Sequence, residues 1–111
     1  MNADLPFSYD GPSDLAPAVL KALRRVVDPE VAMNIVDVGL VYGVRVQPGE
    51  VHVDVTMTSA ACPVADVILG DIGFELEQSL PEGTLVEPHL VWEPSWTPER
   101  MSDRARRFMG W

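Results

Sequence analysis

A single cysteine, Cys62, stands among 111 residues. An internal disulfide is therefore excluded, and a lone thiol suits a reducing compartment. No metal centre that needs several thiolates can be completed by one chain. Long apolar runs are also missing: nothing approaches the ~20 residues of a membrane span, so no membrane partner is expected. The N-terminus, Met1 to Phe7, lacks the basic and apolar regions of a signal peptide. Together these absences point to a cytoplasmic protein. Basic residues are scarce, eight against seventeen acidic, for a net charge of −9. Nonspecific nucleic-acid binding draws its affinity from cationic contacts to phosphate, so this balance argues against it. Arg100, Arg104, Arg106 and Arg107 nevertheless cluster near the C-terminus; a solvated helix face explains them better than a docking patch for an acidic partner. Arginine dominates over a single lysine, the usage of a GC-rich bacterial genome.

The chain is organised around Thr58-Ser-Ala-Ala-Cys62-Pro63. A strand pattern runs into this stretch and a proline-started helix pattern runs out of it. The thiol thus falls at a strand-to-helix turn, where the first helical N–H groups lack internal partners and, with the helix dipole, favour thiolate.

In chain order, residues 1–12 carry Pro6, Gly11 and Pro12 without periodicity and read as a flexible tail. A single domain, 13–111, follows. Ser13 is a natural N-cap for a helix whose apolar positions are Leu15, Val19, Leu23 and Val26. Asp28-Pro29 ends it, because the residue before proline is pushed out of the α region. An irregular connection, 30–37, precedes a strand over 38–46. Gln47-Pro48-Gly49-Glu50 is a turn, expected to be longer than two residues or bulged. The alternation is cleanest over 51–58, with Val51, Val53, Val55 and Met57 on one face and His52, Asp54, Thr56 and Thr58 on the other. Val64, Ile68, Ile72, Leu76 and Leu80 define a helix over 63–80; Gly70 and Gly73 within it suggest close packing. A third strand spans 85–92, with Pro88 marking an edge. Thr97 or Ser102 caps a short last helix that stops at Gly110. The order α-β-β-α-β with a short C-terminal helix predicts an α/β (α+β) two-layer domain, helices packed on a small mixed sheet.

Four stretches resemble one family: Asp28-Pro-Glu30, Asn34-Ile-Val-Asp-Val-Gly-Leu-Val-Tyr42, Thr58 to Pro63, and Val91-Trp-Glu-Pro-Ser-Trp-Thr-Pro98. Their order and spacing are those of the iron–sulfur cluster assembly (FSCA) domain family, which includes SufT-like maturation factors and PaaD-like proteins of phenylacetate degradation. The resemblance covers residues 14–111. PaaD-like members carry a cysteine-rich C-terminal tail; this chain ends Met109-Gly-Trp111, which favours the SufT-like branch.

The resemblance implies a non-enzymatic factor in cytoplasmic iron–sulfur protein maturation. Its site would comprise Asp28, Glu30 and Val31, the hydroxyls of Thr58 and Ser59, and the thiol of Cys62. Cys62 would be the metal ligand, transiently, because a cysteine-ligated cluster usually takes four thiolates. The remaining ligands would come from a scaffold or carrier, an apo client protein, or the second subunit of a homodimer. No stably bound cofactor is expected, only iron or a cluster in passage. The alternative is a pure adaptor that recruits clients, with Cys62 structural.

Simpler readings compete at each position. Asp28 stops the first helix, and Asp37 forms a turn. A carboxylate beside a thiol would raise the thiol's pKa, so Asp28 and Glu30 suit metal ligation or proton handling better than thiolate activation. His52 lies ~20 Å along an extended strand from Thr58, which disfavours a Cys–His hydrolytic dyad. Trp92, Trp96 and Trp111 read as packing residues, with Trp96 a partner anchor only if exposed.

Overall fold

A computed structural model describes residues 5–58 and 65–110. The elements are β1 (Ser8–Asp10), α1 (Ala16–Leu23), β2 (Val27–Asp28), β3 (Met33–Asn34), α2 (Ile35–Val38), β4 (Val41–Gln47), β5 (Glu50–Val55), α3 (Ala65–Ser79), β6 (Leu85–Leu90) and α4 (Asp103–Met109), with a 3₁₀ turn at Pro98–Arg100. The expected α+β architecture holds. A mixed sheet runs β1-β4-β5-β6, with β4 and β5 antiparallel and both edge strands parallel to their neighbours.

The core follows the alternation in β5. Val51, Val53 and Val55 are fully buried against Val19 and Leu23 of α1 and Ile68, Ile72 and Leu76 of α3. Each such side chain contributes roughly 1.5–3 kcal/mol on burial. That outweighs the ~1 kcal/mol each that Gly70 and Gly73 cost inside α3. Neither glycine permits a close approach: a Cβ at either would meet nothing within 4 Å.

Several boundaries differ from the sequence reading. Helix α1 is entered through Leu15 without a side-chain cap, and it stops at Leu23 rather than Asp28. Val27–Asp28 instead pairs with Met33–Asn34 as a small antiparallel ribbon. The strand expected from Val38 begins at Val41, because residues 35–38 form a helical turn. Asn34 caps that turn by accepting from Asp37 N–H at 2.9 Å, and Gly39 ends it at φ 86°. Within β4 the register slips between Val41 and Gly43, so the inward face passes from Val41 to Val44 and Tyr42 is the extra residue.

The hairpin is tighter than expected. Gln47 pairs with Glu50, leaving Pro48 and Gly49 as the only loop residues, with Gly49 at φ 80°. Leu85 N–H donates to Gly49 C=O at 2.9 Å, which docks the start of β6 on this turn. The expected flexible tail is structured from Ser8 to Asp10, where β1 pairs with Gly43–Arg45, and Phe7 is buried. Pro88 does lie in an edge strand, and Ser102 caps α4 by accepting from Ala105 N–H. No helix of the described residues is long and apolar enough to cross a membrane.

Candidate functional site

Strand β5 delivers Thr56, Met57 and Thr58 to its C-terminal end. Thr56 and Met57 are buried and Thr58 is half-buried. Ser59 and Cys62, with the rest of 59–64, lie outside the described residues. Helix α3 begins at Ala65, so the segment carrying the thiol joins the end of β5 to the start of α3.

The Asp28 loop is tied to the same end by three backbone hydrogen bonds in series. Ile35 N–H donates to Val26 C=O (2.9 Å), Leu40 N–H to Ile35 C=O (3.0 Å), and Thr56 N–H to Leu40 C=O (2.9 Å). The turn after β2 is held by Val31 and Ala32, whose N–H groups both donate to Asp28 C=O. Ala32 adopts φ 56°, a left-handed conformation rare for a residue with a Cβ.

Asp28 itself is fully buried. Its Oδ1 accepts from Glu30 N–H at 2.9 Å, while Oδ2 has no hydrogen-bond partner among the described residues. Thr56 Oγ1 is the other buried side-chain oxygen in that condition. Burying a polar atom unpaired costs about 1–3 kcal/mol, and such atoms call for an explanation. Glu30 is exposed and Val31 is half-buried against the core. Of the expected site residues, Asp28, Glu30 and Val31 thus share one turn, and the backbone ladder links that turn to the strand that ends at Thr58.

The C-terminal segment closes over the 34–42 stretch. Tyr42 OH donates to Pro94 C=O (2.6 Å), Trp96 Nε1–H to Val38 C=O (2.8 Å), and Ser102 N–H to Asp37 C=O (2.8 Å). The Arg100 guanidinium sits 4.5 Å from the Tyr42 ring centroid. Trp96 is half-buried and serves packing rather than partner anchoring, whereas Trp92 is 44% exposed. A cleft of about 640 Å³ opens beside the Asp28 loop. It is lined by Arg24, Val27, Asn34, Arg104, Arg107 and Phe108 among others. Of the C-terminal arginines, expected as a merely solvated face, Arg104 and Arg107 therefore contribute to a shaped surface in which Phe108 is 70% exposed.

Histidine plays no part in this arrangement. His52 and His89 engage each other on the sheet, at 2.9 Å between Nδ1 and Nε2. The register of β5 and β6 brings them together.

The family model for "Iron-sulfur cluster assembly protein" matches residues 17–87. The chain is 41% identical over 93 residues to the "Fe-S protein maturation auxiliary factor YitW" of Bacillus subtilis, covering 83% of this chain and 90% of the relative. It is 40% identical to the "Fe-S protein maturation auxiliary factor SufT" of Staphylococcus aureus, covering 77% and 97% respectively. Among solved structures, a "Domain of Unknown Function DUF59" from Bacillus anthracis superposes with a TM-score of 0.82 at 36% identity, over 87% of this chain and 92% of that one.

Proposed function

Because the chain belongs to the iron–sulfur cluster assembly protein family, on its SufT-like side, we propose that it is an iron–sulfur maturation factor. It takes iron or a cluster as transient cargo in the cytoplasm and passes it to apo client proteins, without catalytic turnover. Cys62 supplies one thiolate. Clusters usually take four, so the scaffold or carrier that donates the cargo, the client that receives it, or a second copy of the chain supplies the others.

The observation that carries the residue assignment is Asp28. A fully buried carboxylate with one oxygen unpartnered among the described residues, on a turn tied to the strand that leads to the thiol, is suited to accept a proton or a metal bond as cargo arrives. Thr58 offers a hydroxyl on the strand side, with Ser59 next to it in sequence, and Glu30 and Val31 share the Asp28 turn. Transfer of a cluster from a loaded scaffold to an apo client, measured anaerobically by client activity, tests the reading. Cys62→Ala is expected to abolish the acceleration that the wild-type chain gives while still co-purifying with its partners. Full acceleration by Cys62→Ala would overturn it.

That last result belongs to a second reading, the adaptor, which the cleft beside the Asp28 loop favours. Its exposed Phe108 and the guanidinium groups of Arg24, Arg104 and Arg107 suit a client segment with an apolar side chain flanked by carboxylates. Loss of client co-purification in Phe108→Ala with retained cluster transfer by the isolated chain would separate recruitment from cargo handling.

A further inference from the structure

Strands β5 and β6 each carry a Glu-x-His triplet, Glu50-Val-His52 and Glu87-Pro-His89. Residues two apart on a strand share a face. The parallel register sets His52 opposite Glu87 and His89 opposite Asp54. All of these side chains alternate with the buried valines of β5, so they stand on the sheet face turned away from α1 and α3. Each of the four triplet side chains is half-buried.

Three of them converge. His52 Nδ1 lies 2.9 Å from His89 Nε2, the two rings meeting edge to edge with 5.2 Å between centroids and 13° between planes. One ligand atom each from His52, His89 and Glu87 falls within 4.8 Å of the other two. Glu50 settles the chemistry of His52: its Oε1 is 2.5 Å from His52 Nε2. A carboxylate only accepts, so Nε2 carries a proton, and in the neutral ring Nδ1 presents its lone pair. With both rings neutral, the 2.9 Å contact makes His89 Nε2–H the donor to that lone pair. If His89 moves its single proton to Nδ1, through exchange with water, both imidazoles present lone pairs to one point and neither changes charge.

We propose that His52 Nδ1, His89 Nε2 and a Glu87 carboxylate oxygen form a binding site for a divalent late first-row transition-metal ion. Glu50 is the outer partner that orients His52. Two imidazoles and one carboxylate, with further positions left to water, are a donor set for zinc, iron(II) or cobalt(II), not for the hard ions calcium and magnesium. At metal–nitrogen bonds of about 2.0–2.1 Å, a tetrahedral site separates two nitrogens by about 3.3 Å. The observed 2.9 Å therefore has to open by about 0.4 Å, and both rings have to turn so that their lone pairs converge on the ion. A carboxylate on the far nitrogen of a ligating histidine is the usual support for such a site. The nearby cation, Arg45, opposite His52 on β4, is held by Asp54 at 2.8 Å, so its charge is compensated.

This site is independent of the Cys62 reading, and its test removes that thiol as a competing ligand. The full-length Cys62→Ala chain, freed of metal, is titrated with cobalt(II) followed by visible absorption, and with zinc followed by equilibrium dialysis. One ion per chain is expected, with no sulfur-to-metal charge-transfer band. His89→Gln and Glu87→Gln, on an exposed edge strand, should each weaken binding at least about tenfold, and Glu50→Gln by about 10–100-fold. Histidine ring nitrogen resonances give a second readout, shifting for His52 and His89 on zinc addition. Absence of saturable uptake up to millimolar zinc, or uptake and ring shifts unchanged by His89→Gln, would overturn the proposal.

Discussion

The packing of the C-terminal segment on Gly39 makes a quantitative prediction. Gly39 sits at φ 86°, and a Cβ there would lie 2.2 Å from Arg100 O, 2.6 Å from Arg100 C and 2.8 Å from Arg100 Cβ. Gly39→Ala therefore carries two penalties. The left-handed backbone costs a residue with a Cβ about 1–2 kcal/mol. The overlap is with backbone atoms, which cannot rotate aside, so the 98–101 segment must move by about an ångström. Undocking it forfeits the Trp96 to Val38 and Ser102 to Asp37 hydrogen bonds, about 1 kcal/mol each. The Arg100–Tyr42 contact adds about 0.5–1 kcal/mol. The sum, about 3.5–5 kcal/mol, is an upper bound, since exposed donors regain water. Gly49→Ala is the matched control: its φ is 80°, yet a Cβ there meets nothing within 4 Å, so it bears only the backbone cost. Urea unfolding of both variants isolates the clash. With a slope of roughly 1–3 kcal/mol per molar, Gly39→Ala should unfold at a midpoint lower than Gly49→Ala by about 1 M or more. Faster hydrogen exchange at Ser102 N–H should appear in Gly39→Ala alone. Equal midpoints for the two variants would refute the docking of this segment on Gly39.

Other consequences are more direct. Asp28→Asn keeps an oxygen for the Glu30 N–H bond but replaces the oxygen that has no partner among the described residues; stability should change little while client maturation falls several-fold. Unchanged metal loading and unchanged maturation in that variant would take Asp28 out of the site. Gly70→Ala, in an exposed and unobstructed position of α3, should stabilise the fold by about 0.5–1 kcal/mol in urea titrations; a loss would mean that the helix surface there is covered. Tyr9 is held above its ordinary pKa by burial and by the Asp14 charge. A raised folded pKa means that its contribution is intact below the unfolded value near 10 and is lost as pH rises through the folded value. Tyr9→Phe should accordingly lessen the loss of stability on the alkaline side of pH 10, and an unaltered alkaline limb would contradict the assigned direction.

What the sequence revealed, and what it hid, divides along physical lines. Strand β5 and helix α3 were legible because burial on one face enforces a period in each, and helix α4 because Ser102 and Gly110 mark its ends. The α1 boundary was not, since Asp28-Pro29 shows where a helix must have stopped, not where it does stop. The 35–38 turn was hidden because Ile35 and Val36 favour strands, and only the Asn34–Asp37 exchange of hydrogen bonds overrides them. The bulge at Tyr42 could not be read from parity, because parity assumes an unbroken register. The short β1 depends wholly on the neighbouring β4 and has no periodicity of its own.

The site was legible in part, for a related reason. Asp28, Glu30 and Val31 are adjacent in sequence, so one turn holds them together; their link to the end of β5 depends on Val26, Ile35, Leu40 and Thr56, whose roles are carried by backbone atoms and leave no mark on residue type. The histidine pair shows the converse. Two Glu-x-His triplets at strand spacing are a visible signal, since period two places each Glu with its His. What the sequence withholds is the two-residue offset between β5 and β6. His52 opposite Glu87 lets His52 reach diagonally to His89, whereas a register setting His52 opposite His89 would align Glu50 with Glu87 and put two carboxylates side by side. That offset follows from Leu85 docking on Gly49, and thus from a hairpin of two residues. A longer turn, as the sequence suggested, would have given β6 a different anchor and moved the four side chains relative to one another. The tightness of the Pro48-Gly49 connection is therefore what aligns the donor set of the outer face.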